Sequence, residues 1–99
     1  MDGPKILEVV SVYRNFFQHK GIPKKDHPHC LRPGSAREIL SHCHGMLDKI
    51  EVFVAQDRIV KAFRWLGFIQ GCLWATGHYV LDDLKNHNRP AEDGEGRKE

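Results

Sequence analysis

Apolar residues recur at intervals of three and four along most of this chain, and the pattern breaks at a few sharp points. Ile6, Val9, Val10, Tyr13, Phe16 and Phe17 have helical spacing. Asp2 is suited to cap that helix, and Pro4 fits its first turn. Gly21 supplies a C′ residue, Ile22 the hydrophobic contact that often follows, and Pro23 a block to continuation. The spacing predicts a helix over about 3–20. A second series, Ile39, Leu40, Cys43, Met46, Leu47, Ile50, Phe53 and Val54, covers one arc of ~120°. It predicts a helix over about 36–55, with Asp48 and Ala55 toward water and a capping box formed by Ser35 and Glu38.

Gln56 and Asp57 make a short turn, with Asp57 expected as the N-cap of a third helix over about 58–76. So short a connection makes the second and third helices an antiparallel hairpin. A short fourth helix is predicted over about 80–87, with Val80, Leu81 and Leu84 inward and Asp82 and Asp83 near its positive end. Residues 22–34 contain Pro23, Pro28, Pro33 and Gly34, so they read as a long loop. Residues 90–99 read as a disordered charged tail, which leaves one helical domain over 1–89. The expected fold is all-α: a small bundle of three main helices plus the short C-terminal one.

The third helix is apolar on almost every side. Ile59, Ala62, Phe63, Leu66, Ile69 and Leu73 share an arc expected to face the first two helices. Gly67, Gly71 and Ala75 form a ladder on another face, bordered by Val60, Arg64 and Trp74, while Trp65, Phe68 and Cys72 extend the apolar surface. Glycine inside a helix costs roughly 1 kcal/mol relative to alanine, so two of them call for close packing. The default expectation is that the first or fourth helix crosses the ladder. The alternative is a surface for self-association or a protein partner, built from Arg64, Trp65, Gly67, Phe68, Gly71, Trp74 and Ala75. Arg64 needs an anion or a carbonyl in such surroundings, and Glu38, Glu51 or an acid of the fourth helix is the expected partner.

Charge changes the picture only locally. The net charge is +2 over 99 residues, too small to require a nucleic-acid partner. Lys20, Lys24, Lys25, Arg32 and Arg37 face only Asp26 between residues 20 and 37, a local excess of +4. That loop is the alternative functional element, as a nucleic-acid contact, although no recognition helix rich in Arg, Asn and Gln accompanies it. Three cysteines, Cys30, Cys43 and Cys72, do not make a disulfide framework. The start of the chain lacks a basic-then-apolar leader. The longest apolar block, residues 65–76, is twelve residues, short of the ~20 that span a bilayer. These features predict a cytoplasmic protein with no membrane contact.

Candidate chemistry is sparse. His27, His29, Cys30, His42, Cys43 and His44 are dense in metal-binding atoms, but the HPHC and HCH clusters match no familiar zinc spacing. His42 and His44 lie ~200° apart on a regular helix, which leaves His27, His29, Cys30 and His42 as the residual metal set. The expectation is no metal and no cofactor. No phosphate loop, nucleophile elbow or HExxH motif is present, and the chain is expected not to be an enzyme.

The block Lys61 to Gly71, KAFRWLGFIQG, continues through Leu73-Trp74 and Leu81-Asp82-Asp83-Leu84-Lys85 to Asn88-Arg89-Pro90. Across residues 36–90 it resembles small uncharacterised helical accessory proteins of tailed phages and prophages. The resemblance brings no activity and no catalytic residues. It implies a regulatory accessory role exerted by binding another protein; a homodimer remains the reading of the small-residue ladder and the short chain.

Overall fold

The three long helices all stop in the same way. The computed structural model describes residues 1–90 and contains α1 (Gly3–His19), α2 (Ala36–Ala55), α3 (Ile59–Ala75) and α4 (Leu81–Asn88), with no strand among the described residues. Residue C′ adopts a positive φ after each of the first three: Gly21 at 70°, Asp57 at 60° and Gly77 at 80°. The next amide then reaches back to the carbonyl at C3: Ile22 to Phe17 at 2.9 Å, Arg58 to Phe53 at 2.8 Å and His78 to Leu73 at 2.9 Å. These are Schellman ends, which satisfy carbonyls the helix leaves unpaired. Glycine takes the left-handed conformation freely, and aspartate is one of the few other residues to visit it.

Asp57 is therefore not the cap of α3, as its residue type suggested. It closes α2, and Arg58 takes the N-cap position without a side-chain hydrogen bond. At the start of α2, Ser35 Oγ accepts from the Glu38 amide at 3.2 Å. The reciprocal arm lands one residue early, because Glu38 accepts from the Gly34 amide at 2.7 Å. Asp2 caps α1 by accepting from the Lys5 amide at 3.0 Å. The expected tail beyond Pro90 lies outside the described residues.

The core forms where α1, α2 and α3 meet. Ile6, Val9, Val10, Tyr13 and Phe17 from α1 join Leu40, Cys43, Met46, Leu47 and Ile50 from α2, and Ala62, Leu66, Ile69 and Leu73 from α3. Burial of this apolar surface is the main driving force for the bundle. The start of α1 sits tightly on the α2–α3 turn, where a Cβ on Gly3 would meet Val54 Cγ1 at 3.2 Å. Inward placement of α4 is narrower than its pattern implied. Leu84 is buried, whereas Val80 and Leu81 are exposed. Most of the docking of α4 is polar instead. Gln70 and Asn88 exchange amide hydrogen bonds at 2.8 and 3.2 Å, and Gln70 also donates to Tyr13 Oη at 3.0 Å.

Tyr13 in turn donates to His87 Nδ1 at 2.8 Å. Burial pushes the Tyr13 phenol up to about 12, and burial also lowers the His87 pKa from its ordinary value. A Tyr79 ring closes this end of the bundle, 5.3 Å from Phe16 and 4.9 Å from His87.

Candidate functional site

Among the described residues nothing covers one side of α3. Val60, Phe63, Phe68 and Trp74 are 74%, 44%, 55% and 53% exposed, and Arg64, Gly67, Gly71 and Ala75 lie exposed among them. At 100° per residue these eight positions occupy a continuous stripe along the helix. The first and fourth helices do not cross the glycine ladder: a Cβ built on Gly67 or Gly71 would meet nothing within 4 Å. That overturns the default expectation. Phe63, expected in the core arc, belongs to the outer stripe, because Ala62 and Leu66 already fill the space between α3 and its neighbours.

Two more expectations change. Trp65 is half-buried and lies edge-on against Phe53 with ring centroids 4.9 Å apart, so it is a flank of the stripe rather than its centre. Arg64 does not reach Glu38, Glu51 or an acid of α4. Glu51 is held by Arg14, through bonds of 2.7 and 3.1 Å. Glu38 is turned to the Gly34 amide. Arg64 has no hydrogen bond or ion pair among the described residues, and its guanidinium stands in an apolar surface with its donors open to a ligand.

On one flank the stripe meets the 22–34 loop. Phe68, with His29, His42, Leu31 and Pro33, borders a cavity of about 290 Å³. A second hollow of about 390 Å³ shares His29, His42 and Phe68 and extends to Met46, Arg64 and Trp65. The histidines here are already engaged as loop anchors. The His27 amide donates to His42 Nδ1 at 3.1 Å, and His27 Nε2 lies 3.0 Å from the Leu31 carbonyl. His44, on the opposite side of α2, has Nδ1 2.8 Å from the Ile22 carbonyl. His42 and His44 thus tie a proline-rich loop to α2. Among the described residues no three His, Cys, Asp or Glu side chains come together to hold a metal, so His27, His29, Cys30 and His42 do not form a ligand set. Burial lowers the His42 pKa, which keeps its Nδ1 available as an acceptor.

The basic loop is partly spoken for by contacts within the chain. Lys24 pairs with Asp48 at 3.0 Å, Arg37 donates to the Gly21 carbonyl at 3.0 Å, and Lys20 lies over the Phe16 ring. Lys25 and Arg32 are exposed. Sequence reasoning also missed a thiol pair. The buried Cys43 thiol interacts with Cys72 across the α2–α3 seam: that interaction and burial raise the Cys43 pKa, while the same interaction lowers that of Cys72 against the opposing effect of burial. Cys43 lies 14 residues before Asp57 and Cys72 lies 15 after it, so their near-equal offsets from the hairpin turn are the sequence signal that could have found the pair.

Compared with protein-family models, curated proteins and solved structures, the chain matches none. Among the described residues no helix is long and apolar enough to cross a membrane.

Proposed function

We propose that this chain is a non-enzymatic binding protein whose working surface is the outer face of α3. One observation carries the reading: a helix in the middle of the bundle order leaves a full-length apolar stripe exposed, with open glycines along it and an unpaired arginine within it. Contiguous exposed apolar surface of this kind marks interaction sites, and tryptophan and arginine are the residues most enriched where binding energy concentrates. A cytoplasmic setting and an accessory role of the phage type belong to the same proposal, supported by the resemblance of residues 36–90. Contact with nucleic acid through residues 20–37 gains no support from the geometry, since three of its five cations are already engaged.

The test is site-specific photocrosslinking in cells that naturally carry the protein. A photoreactive side chain at Phe68 or Trp74 is expected to trap a protein adduct, and one at Val12, exposed on α1, is expected not to. Equal labelling from both helices, or none from α3, would overturn the assignment of the face.

A further inference from the structure

We propose that the trough bounded by the 22–34 loop, α2 and α3 binds a small aromatic monocarboxylate, with its ring beside Phe68 and its carboxylate on Arg64. The site borders the outer face of α3 and stands whether or not a protein docks on that face.

Two adjoining hollows make the trough. The first, about 290 Å³, has apolar walls from Leu31, Pro33, Ile39 and Phe68. The second, about 390 Å³, continues from the shared His29, His42 and Phe68 to Lys49, Arg64 and Trp65. Each lies near the lower end of the ~300–1,000 Å³ of small-molecule sites. That size suits a single ring with a short acidic arm.

The two ends of the trough differ in charge. Glu38, His42, Met46 and Lys49 follow one another along one face of α2, at intervals of four, four and three. Glu38 therefore marks the loop end and Lys49 the other, ~16 Å away along the axis at 1.5 Å per residue. The Glu38 carboxylate is already engaged, since it accepts from the Gly34 amide at 2.7 Å. No acid lines the second hollow. Arg64 stands there, one helical turn from Phe68. Lys49 has an Asp26 carboxylate 3.7 Å away, so of the two permanent cations in that hollow only Arg64 lacks a carboxylate among the described residues.

One unmatched guanidinium calls for one negative charge, and its planar fork fits a carboxylate at two points. His42 adds a donor. Its Nδ1 accepts from the His27 amide, so the neutral ring carries its proton on Nε2, which has no bond to a described residue. The rings of Phe68, Trp65, His29 and His42 offer aromatic faces, which favours a flat ring over an aliphatic chain. A phosphate dianion would find no second unmatched cation and would leave the apolar walls unused.

Backbone amide NMR spectra of the full chain, titrated with hydrocinnamate and with its uncharged amide, test the site. Hydrocinnamate is expected to shift the amides around His42, Arg64 and Phe68 with a Kd of about 1 mM or below, since so small a ligand makes few contacts. Its amide is expected to bind about 10-fold more weakly, the effect of losing one charge-assisted contact. Arg64→Gln is expected to erase that difference by weakening the acid alone, in a protein whose spectrum remains that of the folded chain. Leu31→Ala trims an exposed apolar wall and is expected to weaken both ligands alike, by about 2–5-fold. No saturable shift of these amides, equal binding of acid and amide to the wild type, or a preference for the acid that survives Arg64→Gln would each overturn the site. Acetate competing as well as hydrocinnamate would show an adventitious ion only. A hexapeptide ending in phenylalanine that binds more than ~10-fold tighter than hydrocinnamate would make the ligand a chain end and overturn the small acid. Failure of the ligand leaves the photocrosslinking outcome at Trp74 untouched, because Trp74 lines neither hollow.

Discussion

The two sides of α3 are equally apolar and differ in what lies over them. Ala62, Leu66, Ile69 and Leu73 are fully buried against α1 and α2. Val60, Phe63, Phe68 and Trp74 are large, apolar and exposed, with glycines open between them. The inner side carries side chains that fill volume; the outer side carries side chains that project and gaps that admit a neighbour. Apolar character alone therefore says that a face seeks cover, and the spacing of large and small residues says which kind. The inner face specifies folding, and we assign the outer face to association.

The strongest way to break that contrast is to truncate one residue from each side. Leu66→Ala is expected to cost about 2–5 kcal/mol of folding stability, since it removes a fully buried side chain from a packed core. Phe68→Ala is expected to stay within about 0.5 kcal/mol of the wild type, as surface substitutions do. Urea denaturation in dilute solution measures both, and a large loss from Phe68→Ala would mean that the outer ring supports the fold after all.

A second pair sharpens the comparison for charge. Arg14 is held by Glu51 in a two-point contact and by Asp48 at 2.7 Å, with its side chain 22% exposed. These bonds join α1 to α2 and hold the guanidinium charged. Arg14→Ala is expected to lower stability by about 1–2 kcal/mol, below the upper end for hydrogen bonds to charged groups because both carboxylates are half-exposed and screened. Arg64→Ala is expected to leave folding unchanged in dilute solution. If both arginines affect melting alike, Arg64 has a folding role that its surroundings do not disclose.

Much of the architecture was legible in the chain itself. The helix periods, the cap residues Asp2 and Ser35, and the stops at Gly21 and Gly77 led to four helices in the observed order, because each is a local signal. What the sequence left open depended on facts beyond one helix. Asp57 looked like a cap because aspartate favours that position, but the three-residue connection needed a left-handed residue to close α2 first. Phe63 fell on the edge of the core arc, and only the packing of Ala62 and Leu66 shows which side it takes. The glycine ladder was visible, yet whether α1 or α4 crossed it could not be read from a single helix. The Gln70–Asn88–Tyr13–His87 network was invisible, since nothing in residue spacing reports a contact between positions 13 and 87.

Smaller effects follow at the glycines. No described residue occupies the space of a Cβ at Gly67, so Gly67→Ala in dilute solution is expected to gain about 1 kcal/mol in stability from helix propensity. Thermal melting checks this. A loss instead would show that a neighbour of α3 already fills the ladder.

The mildest test uses pH. His87 and His42 both have folded pKa values lowered from 6.5, chiefly by burial. Below 6.5 the unfolded chain therefore binds more protons than the folded one, and stability falls as pH drops from about 6.5 through the lowered values. The urea midpoint is expected to fall modestly between pH 7 and pH 5. A midpoint that rises would contradict the neutral acceptor role assigned to His87 Nδ1 and His42 Nδ1.

Trp74 offers the most direct view of the outer face. The chain has two tryptophans, so Trp65→Phe leaves Trp74 as the sole reporter. Acrylamide quenching of its fluorescence is expected to be efficient, because the ring is 53% exposed on the outer face of α3. Quenching as weak as that of an indole buried in a core would contradict the open outer face on which the binding assignment rests.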